Sequence, residues 1–256
     1  MKIGFFVTTR NEPESRFPNK AIVEISGRSV THILLDRILT CMWASKNNVF
    51  LTIPNTEGNI KVFEPIAKEY GIQLFAGNID DIIKRHSDCA SKYKVDNIIN
   101  IDGDDILTCA DALNDLCSEI IANPDLCAYY TSGLPLGLNV FAYKRQYGSI
   151  LKWHGRYKET GWGTAIQGMP YLCIPYGGAN TYTPHLKNVR MSDYRLTMDY
   201  EKDFQVIQMV LMNCKDNMTW QGIVEYLDAH PEVVAINKDI EEEYWKDHRK
   251  KKGENN

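Results

Sequence analysis

The sequence predicts an α/β fold, a mostly parallel sheet covered by helices on both faces, and three observations carry that prediction. Short apolar runs rich in β-branched and aromatic residues recur through the first hundred residues. Stretches with helical spacing separate them, and glycine or acidic turn residues close them. Residues 3–8 read as the first strand, and 31–43 as a helix through Ile33, Leu34, Ile38, Leu39 and Met42. Residues 49–53 read as a strand and 59–70 as a helix that Gly71 stops. Then follow a strand at 72–75, a helix over 80–94 and a strand at 97–101 that runs into Asp102-Gly103-Asp104-Asp105. Ligands of such sheets bind beyond the carboxyl ends of the strands.

The rhythm changes after Pro124. Segments 126–132 and 138–144 read as strands, while 157–184 is rich in Gly, Tyr and Pro without periodicity. This pattern predicts an inserted lobe or arm over 130–190, around the open end of the sheet. Order returns with a strand at 194–199, a helix over 201–213 and a last helix from the N-cap Thr219 to about Ala229. The expectation is a single domain over 1–245, with a disordered basic tail over 246–256.

Composition excludes several classes. At 256 residues, 44% apolar and 24% charged, the chain has material for one large core. A net charge of −4 argues against a nucleic-acid partner, and no run is long and apolar enough to span a membrane. The apolar start at 3–7 is too short for a signal peptide. Seven cysteines, odd in number and without a C-x-x-C pair, read as buried thiols of a reducing compartment, so the expected location is cytoplasmic.

Three segments carry candidate chemistry. The loop Arg10 to Lys20 places Arg10, Arg16 and Lys20 after the first strand, where cations suit a polyphosphate. The alternative is a solvated mixed-charge loop, favoured by Glu12 and Glu14. Asp102-Gly103-Asp104-Asp105 suits Mg²⁺, which takes oxygen ligands and shares them with phosphates. The alternative is an acidic turn with Asp105 or Asp111 capping the next helix. Asp199 closes the 194–199 segment and faces the same crevice as Asp104, whereas Asp203 falls in a first helical turn and complements its dipole. His32 lies on an apolar helix and reads as packed; His154, His185 and Arg190 are candidates to touch an acceptor. The aromatics Trp153, Tyr157, Trp162, Tyr171, Tyr176, Tyr182 and Tyr194 fit a sugar-stacking wall or a dimer interface equally well.

Taken together, these pieces resemble the cytidylyltransferases that activate acidic sugars. The loop 10–20 is similar to that family's Arg…Ser-Arg-x-Pro-x-Lys signature, and Gly77 to Arg85 to its Gly-x-x-x-Asp-hydrophobic-x-x-Arg segment. Gly103-Asp104 resembles its metal element, and Arg195 to Asp203 its Arg-Leu-Thr-x-Asp-x-x-x-Asp strand. Leu136 to Val140 and His230 to Asn237 resemble the spore-coat polysaccharide branch, related to 3-deoxy-manno-octulosonate cytidylyltransferase.

The resemblance implies a Rossmann-like nucleotidyltransferase sandwich that transfers CMP from CTP to a sugar or sugar-acid hydroxyl in surface polysaccharide biosynthesis. It implies that Arg10, Arg16 and Lys20 contact the nucleotide, that Ser15 and Gly103 help cradle it, and that Asp81 and Arg85 belong to its pocket or supporting shell. Arg10, Lys20, Asp104 and Asp199 are the implied catalytic set, with Mg²⁺ on Asp104 and Asp199. Gly137, Asn139, Trp162, His185 and Arg190 are the implied acceptor contacts, and a homodimer through 130–185 is implied as well. The chain departs from the family pattern in its longer, glycine-free loop and in Glu159 to Trp162, which replaces a Glu-His-Val-Thr element. Asp102 and Asp105 also stand where the family carries uncharged residues. Two rival readings remain: a nucleotide-sugar glycosyltransferase using Asp102-Gly103-Asp104 as a D-x-D, and a non-catalytic nucleotide-binding partner protein.

Overall fold

A computed structural model describes residues 1–146, 171–175, 194–240 and 242–244. Among these, seven strands form one sheet. In chain order they are β1 (Ile3–Thr8), β4 (Val49–Pro54), β5 (Gln73–Gly77), β6 (Asn97–Asp102), β7 (Ala128–Ser132), β8 (Phe141–Lys144) and β9 (Tyr171–Pro175). The two-residue strands β2 (Glu24–Ile25) and β3 (Arg28–Ser29) make a small separate hairpin turned by Ser26 and Gly27, both at positive φ. The spatial order is β5-β4-β1-β6-β8-β7-β9. The first four strands are mutually parallel; β8 runs antiparallel to β6 and β7, and β9 parallel to β7.

Side-chain alternation builds the layers. Phe5 and Val7 face one core, together with Val49, Leu51, Ile53, Ile99 and Ile101. Phe6, Phe50 and Ile98, on the opposite pleat, face a smaller core beneath helix α3 (Ile82–Tyr93). Helices α1 (Val30–Ile38), α2 (Glu57–Tyr70), α4 (Ala110–Ala122), α5 (Glu201–Asn213) and α6 (Trp220–Ala229) supply the larger side. A short helix, α7 (Pro231–Val234), follows them. None of the described helices is long and apolar enough to cross a membrane.

Most helix boundaries follow the local signals. Thr56 accepts from the amide of Asn59 at the start of α2, and Gly71 ends it at φ 63. Thr219 caps α6 as the sequence predicts. Helix α1 is shorter than the predicted 31–43, because the Thr40 hydroxyl donates to the Arg37 carbonyl and the chain turns there.

Strands β7, β8 and β9 pair within the central sheet, the first two where the sequence predicts strands at 126–132 and 138–144. One expectation needs correction. Residues 194–199 are not a strand of the sheet: they dock through one parallel bridge between Leu136 and Arg195 and one backbone bond from Met198 to the Asp104 carbonyl, 2.9 Å.

Strand order fixes where a ligand can sit. From β1 the chain winds outward through β4 and β5, then returns to place β6 on the other flank of β1. The carboxyl ends of β1 and β6 therefore form the switch-point crevice, where loops diverge and leave a cleft. Thr8 ends β1 and Asp102 ends β6, directly in register.

Candidate active site

A pocket of about 590 Å³ opens at that crevice. Its lining includes Thr8, Thr9, Arg10, Glu12, Glu14, Ser15, Arg16, Phe17, Lys20, Ile79, Arg85, Asp102 to Asp104 and Asp199. The floor depends on one close approach. The amide of Gly103 donates to the Thr8 carbonyl at 2.9 Å, and a Cβ on Gly103 would stand 2.5 Å from the Thr9 side chain. Only glycine brings the two strand ends this near.

The 10–20 loop is self-fastened. The Glu12 carbonyl accepts from the amides of Ser15 and Asn19, both at 3.3 Å, and Ser15 Oγ lies 2.9 Å from that carbonyl and 2.7 Å from that of Phe17. Asn11 bonds to Asn59 of α2 and to Asn19, which takes the left-handed conformation at φ 54. Phe17 packs on Phe204 of α5. Ser15 thus shapes the loop, and Arg10 is paired at the surface with Glu12 at 3.0 Å.

Lys20 is the centre of the site. Its ammonium lies 2.8 Å from Asp104 Oδ2, 3.0 Å from Asp199 Oδ1 and 3.0 Å from the Met198 carbonyl. Burial opposes its charge, but the two carboxylates outweigh that and raise its pKa above the ordinary lysine value. Burial likewise opposes the charge of Asp199; Lys20, Arg195 and Arg16 win and hold it below the usual carboxylate range. Desolvation in the concave floor, then repulsion from Asp104, pushes Asp102 up to about 6, even though its side chain has an edge open to the pocket. The same two causes raise Asp105 well above the ordinary range.

The 194–199 segment is held from beneath. Asp203 is fully buried and accepts from Arg195 Nε at 3.1 Å, from the amides of Asp199 and Tyr200 at 3.0 Å and from Asn237 Nδ2 at 2.8 Å. Arg195 in turn donates to Asp199 Oδ2 at 2.8 Å. Gly137, at φ 96, lets the backbone of Leu196 and Thr197 pack against it where a Cβ would collide at 2.4 Å. Asn139 donates to the Leu134 and Pro135 carbonyls, bracing the same turn. Neither residue lines this pocket; both brace the turn against which the 194–199 segment packs. Trp162, His185 and Arg190 lie outside the described residues.

Asp81 caps α3 by accepting from the amide of Lys84. Arg85 is buried and donates to the carbonyls of Asn78 and Ile79, so it fixes the wall of the pocket. The floor is braced through the smaller core. Thr8 donates to Asn100 Oδ1 at 2.7 Å, and Asn100 Nδ2 donates to Asp102 Oδ1 at 2.9 Å. With its proton so used, Thr8 accepts from His86 Nε2 at 2.7 Å, leaving Nδ1 to accept from the Tyr143 hydroxyl at 2.9 Å. His86 is therefore neutral.

Burial drives the pKa of His86 down from 6.5 to about 3. The unfolded chain then binds the extra proton between those values, so stability present above pH 6.5 is lost as pH falls toward 3, on the order of 2 kcal/mol by pH 5. Urea unfolding against pH should show a steeper acid loss in the wild type than in His86→Gln. Equal slopes would assign acid sensitivity elsewhere.

Asp104 and Asp199 converge on one cationic nitrogen, which stands in for a cation between them. Among the described residues no group of three or more His, Cys, Asp or Glu is arranged to hold a metal. Two converging carboxylates fit a magnesium-type ion that completes its shell with phosphate oxygens and water. Charge argues the same way: Arg10, Arg16, Lys20 and Arg85 line the pocket against Glu12, Glu14, Asp80, Asp102, Asp104 and Asp199. That excess of carboxylate disfavours an anionic ligand unless positive charge is added.

No protein-family model matches the chain. It is 23% identical over 251 residues to an uncharacterized protein of Methanocaldococcus jannaschii, covering 96% of this chain and 99% of that one. Among solved structures it superposes on a cytidylyltransferase from Leptospira borgpetersenii with a TM-score of 0.76 and 17% identity, over 91% of this chain and 97% of that chain. The chain shares its fold. A CMP:2-keto-3-deoxy-manno-octonic acid synthetase complexed with CTP superposes with a TM-score of 0.61 and 11% identity, over 83% and 99% of the two chains. A manganese complex of a Mycobacterium tuberculosis protein reaches 0.53 at 12% identity, over 82% and 99%. The α/β fold with a mostly parallel, helix-covered sheet expected from the sequence is therefore the one observed.

Proposed function

We propose that this protein is a cytidylyltransferase that moves CMP from CTP to a hydroxyl of a sugar or sugar acid, releasing pyrophosphate. The observation that carries the reading is the meeting of Lys20, Asp104 and Asp199 at the β1–β6 switch point, beneath a loop bearing Arg10 and Arg16. The fold it shares with a CTP-complexed synthetase supports the choice of nucleotide.

Little covalent chemistry is asked of the side chains. Lys20 and Arg16 bind phosphate oxygens, Arg85 keeps the pocket wall in place, and Asp203 with Arg195 orients Asp199. Asp104 and Asp199 would hold Mg²⁺, whose charge would offset that of the triphosphate and of the departing pyrophosphate. With its carboxylates so engaged, Lys20 is free to turn its ammonium to the phosphates. The work is positioning and charge neutralisation. We further infer a cytoplasmic homodimer acting in surface polysaccharide synthesis, with acceptor choice lying in 153–190; substitutions at Trp162, His185 or Arg190 should raise the acceptor KM and leave CTP affinity near wild type.

Calorimetry tests the nucleotide site. Lys20→Ala and Arg16→Ala should each weaken CTP binding by roughly 1.5–3 kcal/mol, the scale of a hydrogen bond to a charged group. Arg16→Ala should melt near wild type, whereas Lys20→Ala also breaks the pairs with Asp104 and Asp199 and should lose stability as well. Unchanged affinity in both variants would remove the loop from the site.

A further inference from the structure

Arg16 is held in an unusual way for a loop cation. Its guanidinium carbon lies 4.8 Å from the ring centroid of Tyr200 and 4.8 Å from that of Tyr244, and its Nη1 donates to the Tyr200 hydroxyl at 2.8 Å. The Tyr244 ring also lies 5.5 Å from the Arg195 guanidinium. Both arginines address the same carboxylate: Arg195 at 2.8 Å from Asp199 Oδ2, and Arg16 at 3.9 Å from Asp199 Oδ1. One ring near the C-terminus therefore faces two cations that flank a residue at the heart of the pocket.

The segment leading to Tyr244 is anchored at that place by independent contacts. Asn237 is buried and donates to the Arg195 carbonyl at 2.9 Å and to Asp203 at 2.8 Å. Asp239 pairs with Lys202 at 2.7 Å, and Ile240 is buried. A chain end with only a packing role needs no aromatic face turned to a phosphate-loop arginine.

We infer that the C-terminal segment is part of the nucleotide site, with Tyr244 as a positioning residue that holds Arg16 over the pocket before nucleotide arrives. An arginine otherwise loses much side-chain freedom when it orders on a ligand; the ring sets that order in advance. The inference rests on the CTP-binding reading above.

The test is CTP affinity by calorimetry in the full-length protein, with thermal melts to confirm folding. Tyr244→Leu keeps bulk and removes the π face, and should weaken CTP binding roughly fivefold, within the range of a cation–π contact. Tyr244→Phe keeps the face and should restore affinity to within about twofold of wild type. In an Arg16→Ala background, Tyr244→Leu should add less than about a twofold change, because the ring acts through Arg16. Wild-type protein that binds no nucleoside triphosphate overturns this inference together with the function it rests on. Wild-type binding of CTP with unchanged affinity in Tyr244→Leu, or an equal loss in the Arg16→Ala background, overturns this inference alone.

Discussion

Asp104→Asn and Asp199→Asn should each leave a folded protein that has lost turnover about a hundredfold or more, the scale seen when one element of charge stabilisation is removed from an active site. Each carboxylate lies within 3.0 Å of the Lys20 ammonium, and together they form the position where a cation can be shared with phosphate oxygens. An amide keeps the shape and one acceptor atom and removes the charge. Asp104 is more open than Asp199 and, among the described residues, forms its ion pair with Lys20 alone, so its variant should melt nearer to wild type. Asp199→Asn also weakens the Arg195 pair and should lose more stability. Steady-state rates with saturating CTP, paired with thermal melts, check both statements; full turnover in either variant would remove that carboxylate from the chemistry.

The largest stability effect should come from a residue that touches no substrate. Asp203→Ala should cost about 3–5 kcal/mol, the range for breaking a buried ion pair by deleting one partner. Its carboxylate is fully buried and serves the Arg195 side chain, two backbone amides at the start of α5 and the amide group of Asn237. Alanine would leave those donors desolvated with no acceptor. The folded fraction should also turn over more slowly, since Arg195 and Asp199 lose their support. Urea unfolding with a loss under about 1 kcal/mol would show that the network relaxes onto other acceptors.

The contrast between these two predictions shows what the sequence makes legible. Continuous apolar runs such as Phe5-Phe6-Val7 and Ile98-Ile99-Asn100-Ile101, with capping residues at Thr56, Gly71 and Thr219, define the parallel half of the sheet almost to the residue. Turn chemistry and apolar runs are local, so they can be read locally. Motif order puts Asp104 and Asp199 in one crevice, but the sequence predicts a sheet strand beneath Asp199 that the fold does not contain. The actual support is a single bridge to Leu136, a backbone bond to Asp104 and the buried Asp203 beneath.

Asp203 itself looked like an ordinary first-turn acid. Nothing in its neighbours in the chain announces that Asn237 and Arg195 converge on it, because burial of a charge is decided by tertiary packing. Gly137 carries a local signal with a distant partner: a glycine at positive φ marks a close approach, and here the approaching group is the Leu196–Thr197 backbone. Strand β9 lay in a stretch without readable periodicity, and its pairing partner β7 is far away in sequence. Tyr244 had no sequence signal at all. Its place beside Arg16 depends on the fold returning the C-terminus to the first loop.

In the proposed reaction CMP passes from CTP to an acceptor hydroxyl and pyrophosphate leaves. The most direct measurement is pyrophosphate release with each of the four nucleoside triphosphates and Mg²⁺, against a panel of acidic and neutral sugars. We expect release that requires CTP, the divalent ion and an acceptor together, and that falls away in Lys20→Ala. Free nucleoside diphosphate from a nucleotide sugar, or nucleotide binding without turnover across the whole panel, would contradict it.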